Sequence, residues 1–231
     1  MTFNIDVFYS IRFTDGIELL ITETTVSTWV VMAILFILAL VVRIKSRSWT
    51  ADKKPTGLQN AMEMAVEAFE KLVRGNAGDK VAYLSPWLFS LFMFLIFSNI
   101  IGIIGIRPPT ADWGMTFPLA FTSFILLQYA GLRYRPKAHL KSIFLEPVFL
   151  FAPINLLGEF AKPIAMSFRL FGNVLGGMIL LSLIYGVAPI ALQIVFPAFL
   201  HMYFDLAAGL LQAFIFIMLS IAFIGLNANE A

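Results

Sequence analysis

Lys162, Arg169, Asn173 and Gly176 follow one another at steps of seven, four and three residues, so they fall on one face of a helix. His201, Asp205 and Gln212, at steps of four and seven, share the face of another. Both sets lie where the chain is otherwise almost free of charge: Arg169 is followed by 35 residues without a formal charge before Asp205. A guanidinium stays protonated at any biological pH. At membrane depth it costs on the order of 3 kcal/mol or more, so an intramembrane arginine implies a charge to balance or an ion to move. Glu159 stands three residues before Lys162, one turn away.

Most of these residues also have an ordinary structural reading. Lys162 can extend its ammonium to the interface, with Glu159 as its partner. Asn173 and Gln212 can join helices by amide hydrogen bonds, and His201 can sit at the outer interface. For Arg169 such a reading requires a buried carboxylate in this chain, and Asp205 is the only deep candidate. If the two polar faces meet in an antiparallel hairpin, Arg169 comes level with Gln212, while Asp205 and His201 lie outward of that level. Gly172, Gly176 and Gly177 remove bulk beside the arginine and allow close approach of another helix. Arg169 is therefore expected to meet a carboxylate carried by another subunit.

The elements that must position these residues are membrane helices. Of 231 residues, 60% are hydrophobic and 13% charged, and the mean hydropathy is +0.87. That is about half the charge of an ordinary soluble domain, so the lipid bilayer is the expected solvent. The absence of cysteine excludes disulfides and thiolate metal sites. His139 and His201 are the only histidines, a poor count for haem ligation. No cofactor, metal or catalytic group is expected. Uncharged windows long enough to span are Thr24–Val42, Val81–Ile106, Trp113–Leu132, Leu170–Phe204 and Leu206–Asn229. Gly186 and Pro189 mark a turn in the fourth. The fourth helix is thus expected over about Glu159–Tyr185 and the fifth over about Pro189–Leu226. Both are too long for one upright crossing, so tilt, bending or protrusion is expected.

The expected class is an all-α integral membrane protein with five transmembrane helices, the last two forming a long, strongly tilted hairpin. The expected organisation has an external N-terminal segment over 1–23 and a first span over 24–42. An interfacial amphipathic helix over 55–76 and a transmembrane hairpin over 81–132 follow, then an ion-translocating region over 143–231. The first 23 residues read as a short polar terminus, with no signal-peptide pattern. Leu58, Met62, Val66, Phe69 and Val73 recur at helical spacing, on a helix that lies on the membrane surface, packs on other protein, or both. The segment Ser142–Phe160, interrupted by Glu146, Pro147 and Pro153, reads as re-entrant or interfacial. Lys and Arg crowd residues 43–80 and 133–141, against Arg12 and Arg107 on the other side, so the N-terminus is expected outside and the C-terminus in the cytoplasm.

The stretch "SFRLFGN", preceded by "AKPIA" and followed by "LLQAFIFIMLS", closely resembles subunit a of bacterial rotary F-type ATP synthases; "KPTGLQN" matches the same family at its interfacial helix. The resemblance spans roughly residues 43–226. It implies a non-catalytic stator in the cell (plasma or inner) membrane, beside a ring of c subunits, each with a membrane carboxylate. Peripheral-stalk b subunits and the rest of the synthase are implied partners. Arg169 matches the family's essential arginine, which separates two offset half-channels and favours the ionised ring carboxylate. Asn173 and Gln212 match positions flanking it, and Glu159 matches a carboxylate near the inner half-channel. This chain departs from the pattern at Met178, where many members have Glu or His, and at Asn155, where some have Glu. It has Asp205 where others have His or Glu, so Asp205 with His201 is expected to serve the outer half-channel.

A stand-alone ion channel or secondary transporter is the main alternative, but no internal repeat is apparent. A voltage sensor needs several arginines at three-residue steps. An intramembrane hydrolase needs a nucleophile and base, and no fixed spacing connects Ser167 with His201. The basic loops are short and flank spans, which argues against nucleic-acid binding.

Overall fold

The computed structural model describes residues 7–14, 17–47, 49, 57–144, 149–187, 200 and 202–229. A two-stranded antiparallel hairpin, β1 (Val7–Thr14) and β2 (Ile17–Thr22), precedes the helices. Among the described residues the α-helices are α1 (Glu23–Ser46), α2 (Gly57–Ala77), α3 (Ser85–Ile103), α4 (Trp113–Tyr134), α5 (Pro136–Phe144), α6 (Ala152–Val187) and α7 (Gly209–Asn229). A π-helical segment, Met202–Ala208, leads directly into α7. Among the described residues, five helical stretches are long and apolar enough to cross a membrane, as the uncharged windows predict: Glu23–Ser46, Asp79–Ile103, Trp113–Tyr134, Ala152–Gly186 and Met202–Ala228. The chain is an all-α multi-pass membrane protein, with the hairpin as an addition: the polar terminus expected before α1 pairs with itself from Val7↔Thr22 to Thr14↔Ile17.

Local chemistry explains several boundaries. Asp112 caps α4 by accepting from the Gly114 N–H at 2.8 Å, and its other oxygen accepts from the Thr24 hydroxyl at 3.0 Å, tying α1 to α4. Gly105, at φ 84°, takes the left-handed conformation in the turn after α3. α6 begins seven residues earlier than the sequence reading places it. Ala152–Phe160, expected to form part of a separate re-entrant or interfacial piece, are instead its first turns, and a short 3-10 turn over Phe149–Phe151 leads in. The reason is the position of Pro153 in the first turn, where its missing N–H would have no helical partner anyway. At 36 residues, α6 is about 54 Å long, against a hydrocarbon core of about 30 Å.

The core is a seam between α4, α6 and α7, backed by α2 and α3. Leu170 of α6, Ala120 of α4, and Ala213, Phe216, Ile217, Ile221 and Ile224 of α7 are essentially buried, at the i, i+3, i+4 spacing of a helix face. Between apolar helices in lipid, cohesion comes from close packing and from polar side chains that bond across the seam. The Ser167 and Thr116 hydroxyls, 3.2 Å apart, make one such bond. Trp113 stacks on Phe168 with centroids 5.9 Å apart, securing the residue next to Arg169. The C-terminal half of α2 packs on protein: Phe69 meets Phe89 at 5.3 Å, and a Cβ on Gly225 of α7 would lie 2.8 Å from the Ala77 Cα. Leu58, Met64 and Val66, nearer its start, remain exposed.

Candidate ion-path site

α6 carries Asn155, Glu159, Arg169 and Asn173, and α7 carries Gln212. Two contacts fix the register of these antiparallel helices. The Asn173 amide donates to the Ala208 carbonyl at 3.5 Å, and the position of a Cβ on Gly177 lies 3.1 Å from the Phe204 side chain. Each step of four along α6 matches four back along the partner. One further step brings Arg169 level with Gln212, the arrangement the polar spacing predicts.

At this level the two residues differ sharply. Arg169 is exposed and, among the described residues, makes no hydrogen bond or ion pair. It shares its surface with exposed Phe168, Gly172 and Gly176. No atom of the described residues lies within 4 Å of a Cβ built on either of these glycines, so nothing among the described residues covers that face. Gln212 is 7% exposed, and its amide nitrogen has no partner among the described residues.

A second polar group lies toward the start of α6. The Glu159 carboxylate accepts from the Lys162 ammonium through Oε1 and from the Gln128 amide through Oε2, the latter at 2.9 Å. Lys162 also lies 5.5 Å from the Phe223 ring centroid, a cation–π contact with α7. With side chains only 29% and 16% exposed, Lys162 and Glu159 form a half-buried pair rather than a lysine merely extended to water. Asn155 Nδ2 donates to the Ser142 carbonyl of α5 at 3.4 Å, one turn from this pair.

Gln128 and His139 escape the sequence reading. The His139 ring nitrogen Nε2 is 2.6 Å from the Gln128 oxygen, and burial lowers the imidazole pKa below its ordinary value. Gln128 had a usable signal, an amide within an otherwise apolar span, but His139 had none beyond its type. On the other side of the Arg169 level, the buried amide of Asn99 donates to the Gly209 carbonyl at 3.0 Å and accepts from Thr110 at 3.1 Å. These bonds hold the junction between the π segment and α7. Asp205 belongs to the π segment, a local geometry frequent at functional sites. Its side chain, and His201 altogether, lie outside the described residues. Ser167 is fully buried against Thr116 and serves helix packing.

The family model of the ATP synthase A chain matches residues 25–225. The chain belongs to the ATP synthase subunit a family. Among its relatives is ATP synthase subunit a, sodium ion specific, of Propionigenium modestum, 36% identical over 230 residues, covering 91% of this chain and 75% of that protein. ATP synthase subunit a of Pelodictyon phaeoclathratiforme is 34% identical, covering 93% of this chain and 68% of its own. ATP synthase subunit a 2 of Syntrophotalea carbinolica is also 34% identical, covering 88% and 85%. As a subunit a, the chain is the stator ion-channel subunit of an F-type ATP synthase, a membrane component of that complex. The exposed arginine and the two polar groups on either side of its level are this subunit's candidate machinery.

Proposed function

We propose that Arg169 is the fixed charge past which the carboxylates of a c-subunit ring move. The observation that carries this reading is an exposed guanidinium on a glycine-flanked helical face, without a partner among the described residues. Left against lipid it would cost on the order of 3 kcal/mol or more, and an ionised carboxylate on an apposed helix removes that cost. A ring carboxylate beside Arg169 is favoured in its ionised form and so gives up its ion. The same positive charge repels a free cation, so an ion crosses only by riding the ring from one half-channel to the other.

Asp205 and His201, with Asn173 and Gln212 near the arginine, line the outer half-channel in this reading; Glu159 and Asn155 line the inner one. An ion entering from outside neutralises one ring carboxylate, which then moves into the lipid-facing part of the ring. Another carboxylate arrives at the inner path, releases its ion and meets Arg169 charged. The chain itself makes or breaks no covalent bond. The basic residues Arg133, Arg135, Lys137 and Lys141 support an inner path at the cytoplasmic side of the cell membrane, with the N-terminus outside. The b subunits of the peripheral stalk take another surface, and the exposed start of α2 rests on the lipid interface.

Disulfide cross-linking tests the apposition cleanly, because the chain has no native cysteine. Cysteines at Gly172 and Gly176 should each join a cysteine beside the ring carboxylate, whereas one at Phe36, 70% exposed on α1, should not. Equal yields at all three positions would remove the assignment of the arginine face to the ring.

A further inference from the structure

Between α4, α5 and α6 runs a chain of hydrogen bonds whose direction the chemistry fixes. An ionised Glu159 accepts only, so the Gln128 group facing it at 2.9 Å is the amide N–H. The Gln128 oxygen then faces His139 Nε2 at 2.6 Å, and that nitrogen carries the proton. His139 is 6% exposed and its ring lies flat against Gly131, where a Cβ would come within 2.7 Å of Nδ1. Lys162 closes the chain on the other carboxylate oxygen. Glu159 is thereby held in one orientation from two sides, by Lys162 of its own helix and by Gln128 braced on His139. Next to this pair lies a small cleft between α4, α6 and α7, lined by Ser123, Leu127, Lys162, Met166, Ser220 and Phe223.

We infer that Gln128 and His139 are positioning residues of the inner ion path, holding the Glu159 carboxylate where the coupling ion passes between the cytoplasm and the cleft. This rests on the reading that Glu159 lines that path. His139 acts as a fixed N–H donor from a neutral ring, and no proton needs to pass through it. A glutamine at 139 places an amide N–H near the position of the imidazole Nε2 and preserves the brace. An asparagine, one methylene shorter, reaches only as far as Nδ1 and loses it. Both substitutes are polar and neither titrates.

The test uses the whole complex in inverted membrane vesicles, whose bath is the cytoplasmic side. ATP-driven pumping is followed by quenching of a pH-gradient dye and by uptake of radioactive sodium, while bath pH and Na+ concentration are varied separately. For whichever ion drives the rate, Gln128→Leu and His139→Asn should raise the half-saturating concentration about tenfold, the weight of one hydrogen bond to a carboxylate. The maximal rate should stay within about twofold, and His139→Gln should match the unsubstituted complex. If His139→Gln and His139→Asn behave alike, or if maximal rate falls with half-saturation unchanged, the positioning role is overturned. Should Gln128→Leu fail to assemble, the two position-139 variants decide alone. Glu159→Gln separates the two claims. If it leaves the ion dependence unchanged, the inner-path reading of Glu159 fails; if it alone raises half-saturation, only the positioning role fails.

Discussion

Gly131→Ala should be among the more damaging single-methyl additions in this protein, and the structure says by how much. A Cβ there would lie 2.7 Å from His139 Nδ1 and 2.8 Å from Cε1 and Cγ. These contacts are about 0.8 Å short of an ordinary one of about 3.5 Å. Because the new methyl would press on the face of the ring across three adjacent atoms, including the one nearest its own backbone, a simple rotamer change does not clear it. Either α5 shifts away from α4 or the ring swings out and gives up its bond to Gln128. Overpacking of this kind costs about 1–3 kcal/mol, and loss of the hydrogen bond adds about 1 kcal/mol. Gly158→Ala is the matched control: it lies in α6, has nothing within 4 Å of its Cβ position, and should be neutral or slightly stabilising. Unfolding of the purified subunit in mixed detergent micelles by increasing SDS measures both. A double-mutant cycle completes the test, because Gly131→Ala should cost far less in a His139→Ala background, with a coupling of about 1–3 kcal/mol. Equal stability of Gly131→Ala and Gly158→Ala, or additive effects in the cycle, would refute the close seat of His139 on α4.

The same unfolding assay checks the junction before α7: Asn99→Ala leaves the Gly209 carbonyl and the Thr110 hydroxyl without their partner and should cost about 1–3 kcal/mol, more than Thr110→Val. His139 gives a pH dependence whose sign follows from burial, the main cause of its lowered pKa; Lys162 adds to the lowering and Glu159 opposes it. The unfolded chain, titrating near pH 6.5, then binds more protons than the folded one. Stability should therefore be level above about pH 6.5 and fall as the pH drops from there toward the folded pKa. His139→Gln should remove this slope, and an unchanged slope would assign it to another group.

The sequence made the arginine and its register legible because charge in an apolar segment is rare and helical spacing is rigid. Steps of seven, four and three placed Arg169 and Asn173 on one face, and the contacts at Ala208 and Phe204 carry that spacing to Gln212. The β-hairpin was less legible, although Asp15–Gly16 between two apolar runs is itself a turn signal. Five charges among the first 23 residues mask the alternation of the two strands. The start of α6 is hard to read because Pro153 looks like a breaker in sequence, while at a helix start it is harmless. The Gln128–His139 brace joins residues 11 apart on two helices that meet at the Arg135 turn, and Glu159 lies 31 residues beyond Gln128. No periodicity within one helix links such residues; only the packing of α4 and α5 against each other and against α6 brings them together.

Arg169→Ala in the assembled complex, reconstituted into sealed vesicles, tests the coupling role most directly when ATP-driven ion pumping and passive ion leak are recorded together. Since Arg169 touches no partner within the described chain, the variant should assemble normally. Pumping should be lost, with leak unchanged or increased. Pumping retained at a comparable rate in a correctly assembled complex would contradict the assignment of Arg169 as the barrier between the two half-channels.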